Sequence, residues 1–566
     1  MEDDKKSSGT AADDSTTTTT INPQRRQVLR GLAATGAGLS LLGCADGAPP
    51  NSSAASAASA APAAQDADPL RAKIKTVVVI FAENRSFNNL FAGFPGLEQP
   101  MDPKKSAGAT QLDRDGKTPL PQLPAIWGGL VPRAQQVGDK RYALPQSAIS
   151  NLPNQPFPLT DGKGETLPLA VTTRDLVHRF YTNQMQINAG KADQFVAWGD
   201  SGALVMGHYA QTGAELKLWQ IARAYTLCDN FFMAAFGGSF LNHVYLISGQ
   251  TPFYPDAKNS PAAKLISILE GNDPKGTRLK VAADCPPSAL EGPPRFEKDS
   301  ALTPDGFAVN TMAPPYQPSY VRSAPGGDPL RANPAEANVL PPQSYATIGD
   351  RLSDKGVSWA WYGGAWQAAL DHKGSEAVPN FQFHHQPFNY FANYAPGTPA
   401  REKHLLDGGL GDTAETNHFI KAVEEGKLPA VSFYKPQGNL NMHAGYADVA
   451  SGDAHIAHVI ETLERSPQWN EMAVFITVDE NGGWWDHVAP PQGDRWGPGS
   501  RIPAIIVSPH AKRGHVDHTA CDTNSILRFI TRVYGLEPLP GVKGRDIAMK
   551  SRGQALLGDL SHAFKV

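Results

Sequence analysis

Two apolar runs that end in oxygen-bearing side chains constrain this chain more than any other feature of its sequence. Residues 77–81 are all apolar, and residues 473–478 are apolar apart from Thr477, as is typical of strands buried on both faces of a sheet. Either ending alone is compatible with an exposed turn, but two such endings indicate a shared site at one sheet edge. The pairs that follow the two runs are Glu83-Asn84 and Asp479-Glu480.

Apolar runs and helix-like segments alternate along the chain, which predicts an α/β fold with a mostly parallel central sheet flanked by helices. The predicted strands span residues 75–81, 357–362, 430–434, 473–478 and 502–507. The predicted helices span residues 172–189, 214–224, 239–248, 345–355, 414–425, 454–464 and 524–534. Two long stretches rich in Pro, Gly, Asn and Ser, at about 94–171 and 253–342, are predicted to be covering loops that wall the site.

The N-terminal part has the features of an export signal. Arg25-Arg26 precede a weakly apolar run at 31–43, which is too short for the ~20 residues of a membrane span. Leu41-Leu42-Gly43-Cys44 resembles a bacterial lipobox, which predicts a lipid anchor at Cys44; the alternative is a signal cut elsewhere, with this cysteine incidental.

These features predict a protein that a bacterial cell exports, either to the periplasm or as a membrane-anchored lipoprotein facing the periplasm or the cell exterior. The predicted domains are a twin-arginine or lipoprotein-type signal at 1–43, a flexible Ala/Ser/Pro linker at 44–72 and a catalytic domain at 73–566. The formal net charge of −4 and the absence of a polybasic face argue against nucleic acid as a partner.

A metal ion is the economical explanation for the two acidic strand ends. Three carboxylates brought to one place repel each other unless a cation neutralises them. Ligands that are all oxygen favour a hard cation such as Ca²⁺, Mg²⁺ or Mn²⁺, while iron and zinc stay open.

A second pattern, Gly237-Gly238-Ser239, stands at the start of the helix predicted over 239–248. Paired glycines let backbone approach a ligand, and a helix N-terminus attracts an anion. Ser239 is then either the helix N-cap or a nucleophile whose alkoxide is favoured by a coordinated metal. Histidines near Gly, Asn or aromatic residues are candidates for phosphate binding and proton transfer: His178, His243, His385, His443 and His487.

Taken in order, several motifs resemble the bacterial phosphoesterase family of phospholipases C and respiratory-burst-inhibiting acid phosphatases. The resemblance runs from about Lys75 to the C-terminus and implies an alkaline-phosphatase-like α/β fold, a single metal ion and a hydroxyl nucleophile. The motifs that carry it are AENRSF, GGSFLNH, FHHQPF, MHAGY and DENGGWWDHVAPP with the trailing GPGSRIPAIIVSP.

Carried over residue by residue, the resemblance implies that Ser239 is the nucleophile and that one divalent or ferric ion is bound beside it. His487 belongs to the same motif as a candidate supporting residue. The implied metal ligands are Glu83, Asn84, Ser239, Asp479 and Glu480, and the histidines implied around the phosphate are His178, His385 and His443.

Two departures from the family pattern bear on its branches. Asn88 stands where the family commonly has Asp, and Ser239 begins Ser-Phe-Leu-Asn-His where the phospholipase C branch has Thr-Asp-Pro-Asn-Arg. The second departure favours the acid phosphatase branch. The expected function is hydrolysis of small phosphate monoesters through a metal-activated serine and a phosphoserine intermediate. The alternatives are a phospholipase C acting on phospholipid head groups and a non-catalytic lipoprotein that binds metal or phosphate.

The implied mechanism also predicts a pH dependence. Histidines with an ordinary pKa of ~6.5 must be protonated to hold phosphate oxygens, so activity is expected to rise as the pH falls below that value.

Overall fold

The computed structural model describes residues 68–372 and 377–565, in which an eight-stranded sheet has seven strands running in one direction. The strand order is β8-β2-β7-β6-β1-β5-β3-β4, and only β7 is antiparallel to its neighbours in this described sheet. The strands are β1 Thr76–Ala82, β2 Thr226–Cys228, β3 Trp359–Gly364, β4 Leu405–Gly409, β5 Val431–Lys435, β6 Met472–Val478, β7 Ala504–Val507 and β8 His515–Asp517.

Helices flank this sheet, so the predicted α/β fold with a mostly parallel central sheet is confirmed. The helices are α1 Pro69–Lys73, α2 Phe87–Phe91, α3 Phe180–Ile187, α4 Phe195–Trp198, α5 Thr212–Glu215, α6 Lys217–Ala224, α7 Ser239–Ser248, α8 Ile348–Asp354, α9 Trp366–Asp371, α10 Pro399–His404, α11 His418–Glu424, α12 Val449–Arg465, α13 Thr523–Tyr534 and α14 Pro540–Ser551. Three short strand pairs lie outside the sheet: Gln135–Val137 with Lys140–Tyr142, Phe157–Pro158 with Gly207–His208, and Phe231–Phe232 with Cys521–Asp522.

β1 and β6 lie side by side at the centre of the sheet, and all their residues are buried. They pair in parallel with Ala82 opposite Val478, so the residues that follow each strand emerge at the same sheet edge. The five predicted strands are confirmed within one or two residues at most ends. The prediction did not include β2, β4 or β8, which are short or interrupted by polar residues and glycine and so have no sustained apolar run.

The helix predicted over 172–189 is wrong in its first half, because α3 begins only at Phe180. Side chains from other segments bind the backbone N–H groups there: Asp200 accepts from Val177 at 3.0 Å, and Asn310 accepts from Phe180 at 3.0 Å. The extended segment before α3 therefore carries His178, which the sequence placed on a helix.

The predicted signal segment, Cys44 and the linker up to residue 67 lie outside the described residues. Among the helices in the described part of the chain, none combines the length and apolar character needed to cross a membrane.

Candidate active site

The ends of β1 and β6 bring Glu83, Asn84, Asp479 and Glu480 into one fully buried cluster. The backbone N–H of Asn84 donates to Asp479 Oδ1 at 3.1 Å, and the N–H of Arg85 donates to the Glu480 carbonyl at 3.1 Å. The two strand ends are thus tied to each other by one main-chain hydrogen bond and one bond to the Asp479 side chain, as well as by the sheet.

Tight backbone packing fixes this cluster. Asn84 has a φ of +59° and Gly482 a φ of +61°, both in the left-handed region. A Cβ atom at position 482 would lie 2.4 Å from the Asn84 carbonyl oxygen, which is too close for any side chain. The glycine after Asp479-Glu480 therefore lets the two strand ends touch.

Glu83 is surrounded by positive and hydrogen-bonding groups. Lys435 Nζ, at the end of β5, lies 2.5 Å from Glu83 Oε1, and His385 Nε2 contacts the same oxygen. Tyr446 donates its hydroxyl to Oε2 at 3.1 Å, and His443 Nε2 lies 3.7 Å from that atom. Burial acts to raise the pKa of Glu83, but His385 and Lys435 outweigh it and hold the pKa well below its ordinary value.

Asp479 and Glu480 have the opposite balance. Burial, together with the charge of Glu83, raises the pKa of Asp479 to about 7. Burial raises the pKa of Glu480 well above its ordinary value, although His178 opposes the shift. Two buried oxygens, Asp479 Oδ2 and Glu480 Oε1, accept no hydrogen bond from the described residues.

This donor set fits a hard cation. Buried carboxylates are stabilised as anions by nearby positive charge. The described basic groups within 4 Å of Asp479 Oδ2 and Glu480 Oε1 are two imidazoles, His243 at 3.7 Å and His178 at 3.8 Å, and a bound cation would add to them. Glu83 lies beside the group, but its oxygens already face Lys435, His385 and Tyr446, so its place among the ligands stays a prediction. The oxygens suited to a metal are those of Asn84, Ser239, Asp479 and Glu480.

Among the described residues, two groups of acidic residues and histidines have potential ligand atoms within 4.8 Å of one another. They are Glu83 with His243 and His385, and Asp175 with His178 and His443. The ammonium of Lys435 on Glu83 works against a second cation in the first group.

Ser239 is the first residue of α7, and Gly238 occupies the N-cap position before it. The serine is therefore not the cap, and its Oγ donates instead to Asn84 Oδ1 at 3.4 Å. Gly237 and Gly238 are needed here because Cβ atoms would lie 2.5 Å from Phe180 N and 2.7 Å from His178 O respectively. Close packing of the 178–180 backbone on this glycine pair brings His178 next to the serine.

His178 and His443 stand on either side of the Asn84 amide. Asn84 Nδ2 lies 3.5 Å from His178 Nε2 and 3.1 Å from His443 Nε2. Burial opposes a charge on His178, but Glu480 and Asp175 outweigh it and raise its pKa to about 9. Burial lowers the pKa of His443. At neutral pH one imidazole is therefore charged and the other neutral.

His385 lies deeper than a phosphate-binding role requires. It is buried behind Glu83, stacks on His243 at a centroid distance of 5.5 Å, and is not among the residues lining the cavity above Ser239, whereas His384 is. Burial lowers the pKa of His385 to about 4. The acidic pH optimum was predicted from ordinary histidine pKa values, and none of the three predicted histidines keeps one.

A cavity of about 570 Å³ opens above Ser239. The segment 253–342 contributes Val309, Asn310 and Thr311 to its wall, as predicted for a covering loop, whereas residues 94–171 contribute none of its described lining. The other lining residues are Asp175, Leu176, Val177, His178, Arg179, Asp200, Gly238, Ser239, Phe240, Leu241, Gln382, His384, His443 and Tyr446.

His487 and Asn88 belong to a separate buried network. His487 Nδ1 lies 3.0 Å from Asn88 Oδ1, and the Arg501 guanidinium donates to that oxygen at 3.2 Å and to Asp486 at 3.0 Å. The Asn88 backbone N–H donates to Asp486 as well. This network holds α2 against the loop after β6, so His487 supports the site from outside it.

Four residues of this site were not predicted from the sequence: Lys435, Tyr446, Asp175 and Arg179. Lys435 could have been found, because it is a charged residue at the end of a buried strand, like the two acidic pairs. Tyr446, Asp175 and Arg179 lie in irregular segments, where sequence spacing does not indicate which way a side chain points.

Comparison with known proteins places these residues in context. The sequence profile of the Phosphoesterase family matches residues 74–537. The non-hemolytic phospholipase C of Pseudomonas aeruginosa is 23% identical over 526 residues, covering 87% of this chain and 57% of that protein. Phospholipase C B of Mycobacterium tuberculosis is 26% identical over 257 residues, covering 40% of this chain and 45% of that one.

The chain thus spans about half the length of these curated relatives. Among solved structures, a protein in the alkaline phosphatase superfamily from Vibrio parahaemolyticus aligns with a TM-score of 0.29 and 11% identity. That alignment covers 62% of this chain and 66% of the other.

Proposed function

The chain belongs to the Phosphoesterase family, and we propose that it is an exported hydrolase of phosphate monoesters with Ser239 as its nucleophile. One observation carries the proposal. The Ser239 hydroxyl lies at the N-terminus of α7, bonded to Asn84, beside buried carboxylates and a charged histidine, at the floor of an open cavity. Such an arrangement offers a nucleophile and positive charge to a phosphate group.

The oxygens of Asn84, Asp479, Glu480 and Ser239 would hold the metal ion, with Glu83 beside them. When bound, this cation supplies positive charge that favours the Ser239 alkoxide and offsets the charge of the phosphate. Asn84 holds the serine oxygen through its Oδ1, and its own backbone is fixed by the hydrogen bond from its N–H to Asp479.

In the first step the Ser239 hydroxyl releases its proton to solvent, and Oγ forms a bond to phosphorus while the bond from phosphorus to the ester oxygen breaks. The leaving alcohol takes a proton from an imidazolium, and His178 is the histidine charged at neutral pH. Water then attacks the phosphoserine and gives a proton back to His178. The bond from phosphorus to Oγ breaks, inorganic phosphate leaves, and Oγ takes a proton from solvent to restore the hydroxyl. His443, on the opposite side of Asn84, is suited to hold a phosphate oxygen when protonated, and the contact of His385 with Glu83 supports a positioning role.

A phospholipase C activity is the second candidate, and the names of the relatives favour it. A diester carries one negative charge and a second substituent, whereas a monoester carries up to two charges and needs more positive charge around it. The cavity wall offers such groups in Arg179 and in the histidines His178, His384 and His443, which supports the monoester. The lipid head group of the second candidate would occupy the same cavity.

The test compares rates on p-nitrophenyl phosphate, bis(p-nitrophenyl) phosphate and phosphatidylcholine, with metal content measured on the same sample. We expect the monoester to be the best substrate and Ser239→Ala to lower its turnover by at least ~10³-fold. Ser248→Ala, at the other end of α7, is the matched control and should keep its rate. A folded Ser239→Ala variant with the wild-type rate would contradict the assignment of Ser239 as nucleophile. Faster cleavage of phosphatidylcholine than of the monoester would favour the phospholipase C. Metal binding without turnover of any substrate would favour a non-catalytic binding lipoprotein.

Export and lipid anchoring at Cys44 are part of the proposal, supported by the sequence of residues 25–44. Mass spectrometry of the mature protein from bacterial membranes and periplasm tests them. An N-terminal diacylated Cys44 is expected, and a soluble mature form that begins elsewhere would contradict the anchor.

A further inference from the structure

Arg179 lines the cavity, and part of its guanidinium has no partner among the described residues. Its Nε donates to Asp299 Oδ2 at 2.6 Å, and this is its one side-chain hydrogen bond to the described residues. The side chain is 37% exposed and belongs to the cavity wall. Its backbone packs on Gly237, two residues before Ser239. The terminal nitrogens are therefore available to a ligand near the nucleophile.

The covering segment holds this arginine in place. Asn310 accepts from the N–H of Phe180 and donates to the Ser300 carbonyl at 2.6 Å, so the segment that carries Asp299 is anchored beside Arg179. Asp299 is half-buried, with 14% of its side chain exposed, and its second oxygen has no hydrogen-bond partner among the described residues. The pair is thus joined at a single point, which orients the guanidinium without occupying its outer face.

The two acidic residues that line the cavity contact His178 or its neighbours and do not pair with Arg179. Asp175 Oδ1 lies 3.7 Å from His178 Nδ1, and Asp200 accepts from the N–H of Val177 and the hydroxyl of Ser201. Both acids therefore support the segment that presents His178. Among the described lining residues, Arg179 is the one permanently charged cation, since the remaining positive groups are histidines.

We propose that Arg179 binds a second anionic oxygen group on the alcohol part of the substrate. This inference rests on the proposed function and narrows its substrate class to phosphate monoesters whose alcohol carries a carboxylate or another phosphate. The reacting phosphate sits over Ser239, and the second anion meets the free guanidinium nitrogens at the cavity entrance. A choline head group, which is a cation, is disfavoured at the same place.

Two matched substrate pairs test the proposal. The first pair is 3-phosphoglycerate against glycerol 3-phosphate, which differ in one carboxylate, and the second is fructose 1,6-bisphosphate against fructose 6-phosphate. The ratio of kcat/KM within each pair is measured for the wild type, for Arg179→Gln and for Arg295→Gln. Arg295 is a matched control because it pairs with Asp284 in the same covering segment but does not line the cavity.

We expect the wild type to prefer the more anionic member of at least one pair by about tenfold, and Arg179→Gln to bring that ratio close to one. A preference confined to the first pair identifies a carboxylate, and one confined to the second identifies a phosphate. Wild-type ratios near one, or ratios that Arg179→Gln leaves unchanged or Arg295→Gln abolishes equally, would overturn the inference.

Failure of the proposed function gives a different result. In that case the wild type hydrolyses none of the four esters. Titration calorimetry with the same compounds then measures the preference for the more anionic member of each pair as a ratio of Kd values. A tenfold preference in binding that Arg179→Gln removes would support the role of this arginine without turnover, and equal Kd values within both pairs would overturn it.

Discussion

Glu83 and Asp479 follow neighbouring strands of one sheet, and their charges are balanced in opposite ways. Glu83 has an ammonium 2.5 Å away and a pKa held well below its ordinary value. Asp479 accepts hydrogen bonds from the backbone N–H groups of Asn84 and Glu480, and its pKa is raised to about 7. One carboxylate thus has its own cation within the protein, and the other has only neutral donors at hydrogen-bond distance among the described residues.

The sheet topology explains this difference. β1 has the parallel strand β5 on one side, so the end of β5 delivers Lys435 to the same edge as Glu83. β6 has the antiparallel strand β7 on its outer side, which presents its first residue, Ala504, opposite Thr477. An antiparallel neighbour cannot bring the end of its strand to this edge. The lack of a protein cation at Asp479 therefore follows from the strand order, and it marks where an external cation is needed. Glu480 has His178 beside it, whose Nε2 lies 3.8 Å from Glu480 Oε1.

The largest effect is expected from removing the charge at the β6 end. Asp479→Asn should abolish metal binding and lower kcat/KM on p-nitrophenyl phosphate by on the order of 10⁴-fold, because the cation loses an anionic ligand with no substitute. Metal content by plasma mass spectrometry and turnover are measured on the same preparation. Asn88→Ala, in the separate network around His487, is a control that should retain its metal. A metal-loaded, active Asp479→Asn protein would contradict the assignment of the site.

Lys435→Met should act on stability, with a somewhat smaller effect. It leaves Glu83 as a buried carboxylate without its ammonium, which costs about 3–5 kcal/mol in the free energy of unfolding. Denaturant unfolding followed by circular dichroism measures this loss. The double variant Lys435→Met with Glu83→Gln should recover part of it, because the uncompensated charge is gone. Equal stability of the single and double variants would show that the pair is not coupled.

The third prediction concerns pH in protein stripped of metal by a chelator. Asp479 has a folded pKa of about 7 against ~3.9 unfolded, so between these values the folded chain keeps a proton that the unfolded chain has lost. Its contribution to stability is fully present below pH ~4 and is lost as the pH rises to about 7. The pKa of Glu83 is lower in the folded chain, so its ionised form stabilises the fold above the pKa of the unfolded chain. This contribution is lost as the pH falls through the folded pKa of Glu83.

We therefore expect the free energy of unfolding of the wild type, relative to Asp479→Asn, to fall by a few kcal/mol between pH 4 and 7. Urea unfolding at several pH values measures the difference. Adding a divalent cation should remove most of the decline in the wild type and leave Asp479→Asn unaffected. A wild-type curve parallel to that of Asp479→Asn would contradict the raised pKa.

The fold was largely readable from the sequence because its central strands are long apolar runs. The ends of two of these strands were also predicted, since the apolar runs at 77–81 and 473–478 are followed closely by polar pairs. The apolar pattern does not show which charged residue lies beside the carboxylates at each strand end. That depends on strand order, and no local pattern shows that β5 neighbours β1 while an antiparallel strand neighbours β6.

The histidines show a second limit of the sequence. His384 and His385 are adjacent, yet one lines the cavity and the other contacts Glu83 from behind, because the short helical turn Phe383–His385 points them apart. His178 was expected on a helix and lies before one, because Asp200 and Asn310 bind the backbone that a helix would have used. Contacts between distant segments decide these positions, and spacing along the chain does not encode them.

The smallest expected effect comes from a neutral donor to Glu83. Tyr446→Phe removes the hydroxyl that donates to Glu83 Oε2 at 3.1 Å and keeps the ring that stacks on His443. Tyr446 is 37% exposed, so water can replace the lost donor, and the loss of stability should be about 1 kcal/mol or less. Tyr390→Phe, which loses a buried bond to the Met312 carbonyl, is the matched control with a cost of about 1 kcal/mol. A loss as large as that of Lys435→Met would mean that hydrogen bonds, and not the ammonium, hold the charge at the β1 end. The opposite pKa shifts of Glu83 and Asp479 would then depend on how many hydrogen-bond donors each carboxylate has, and not on the strand order.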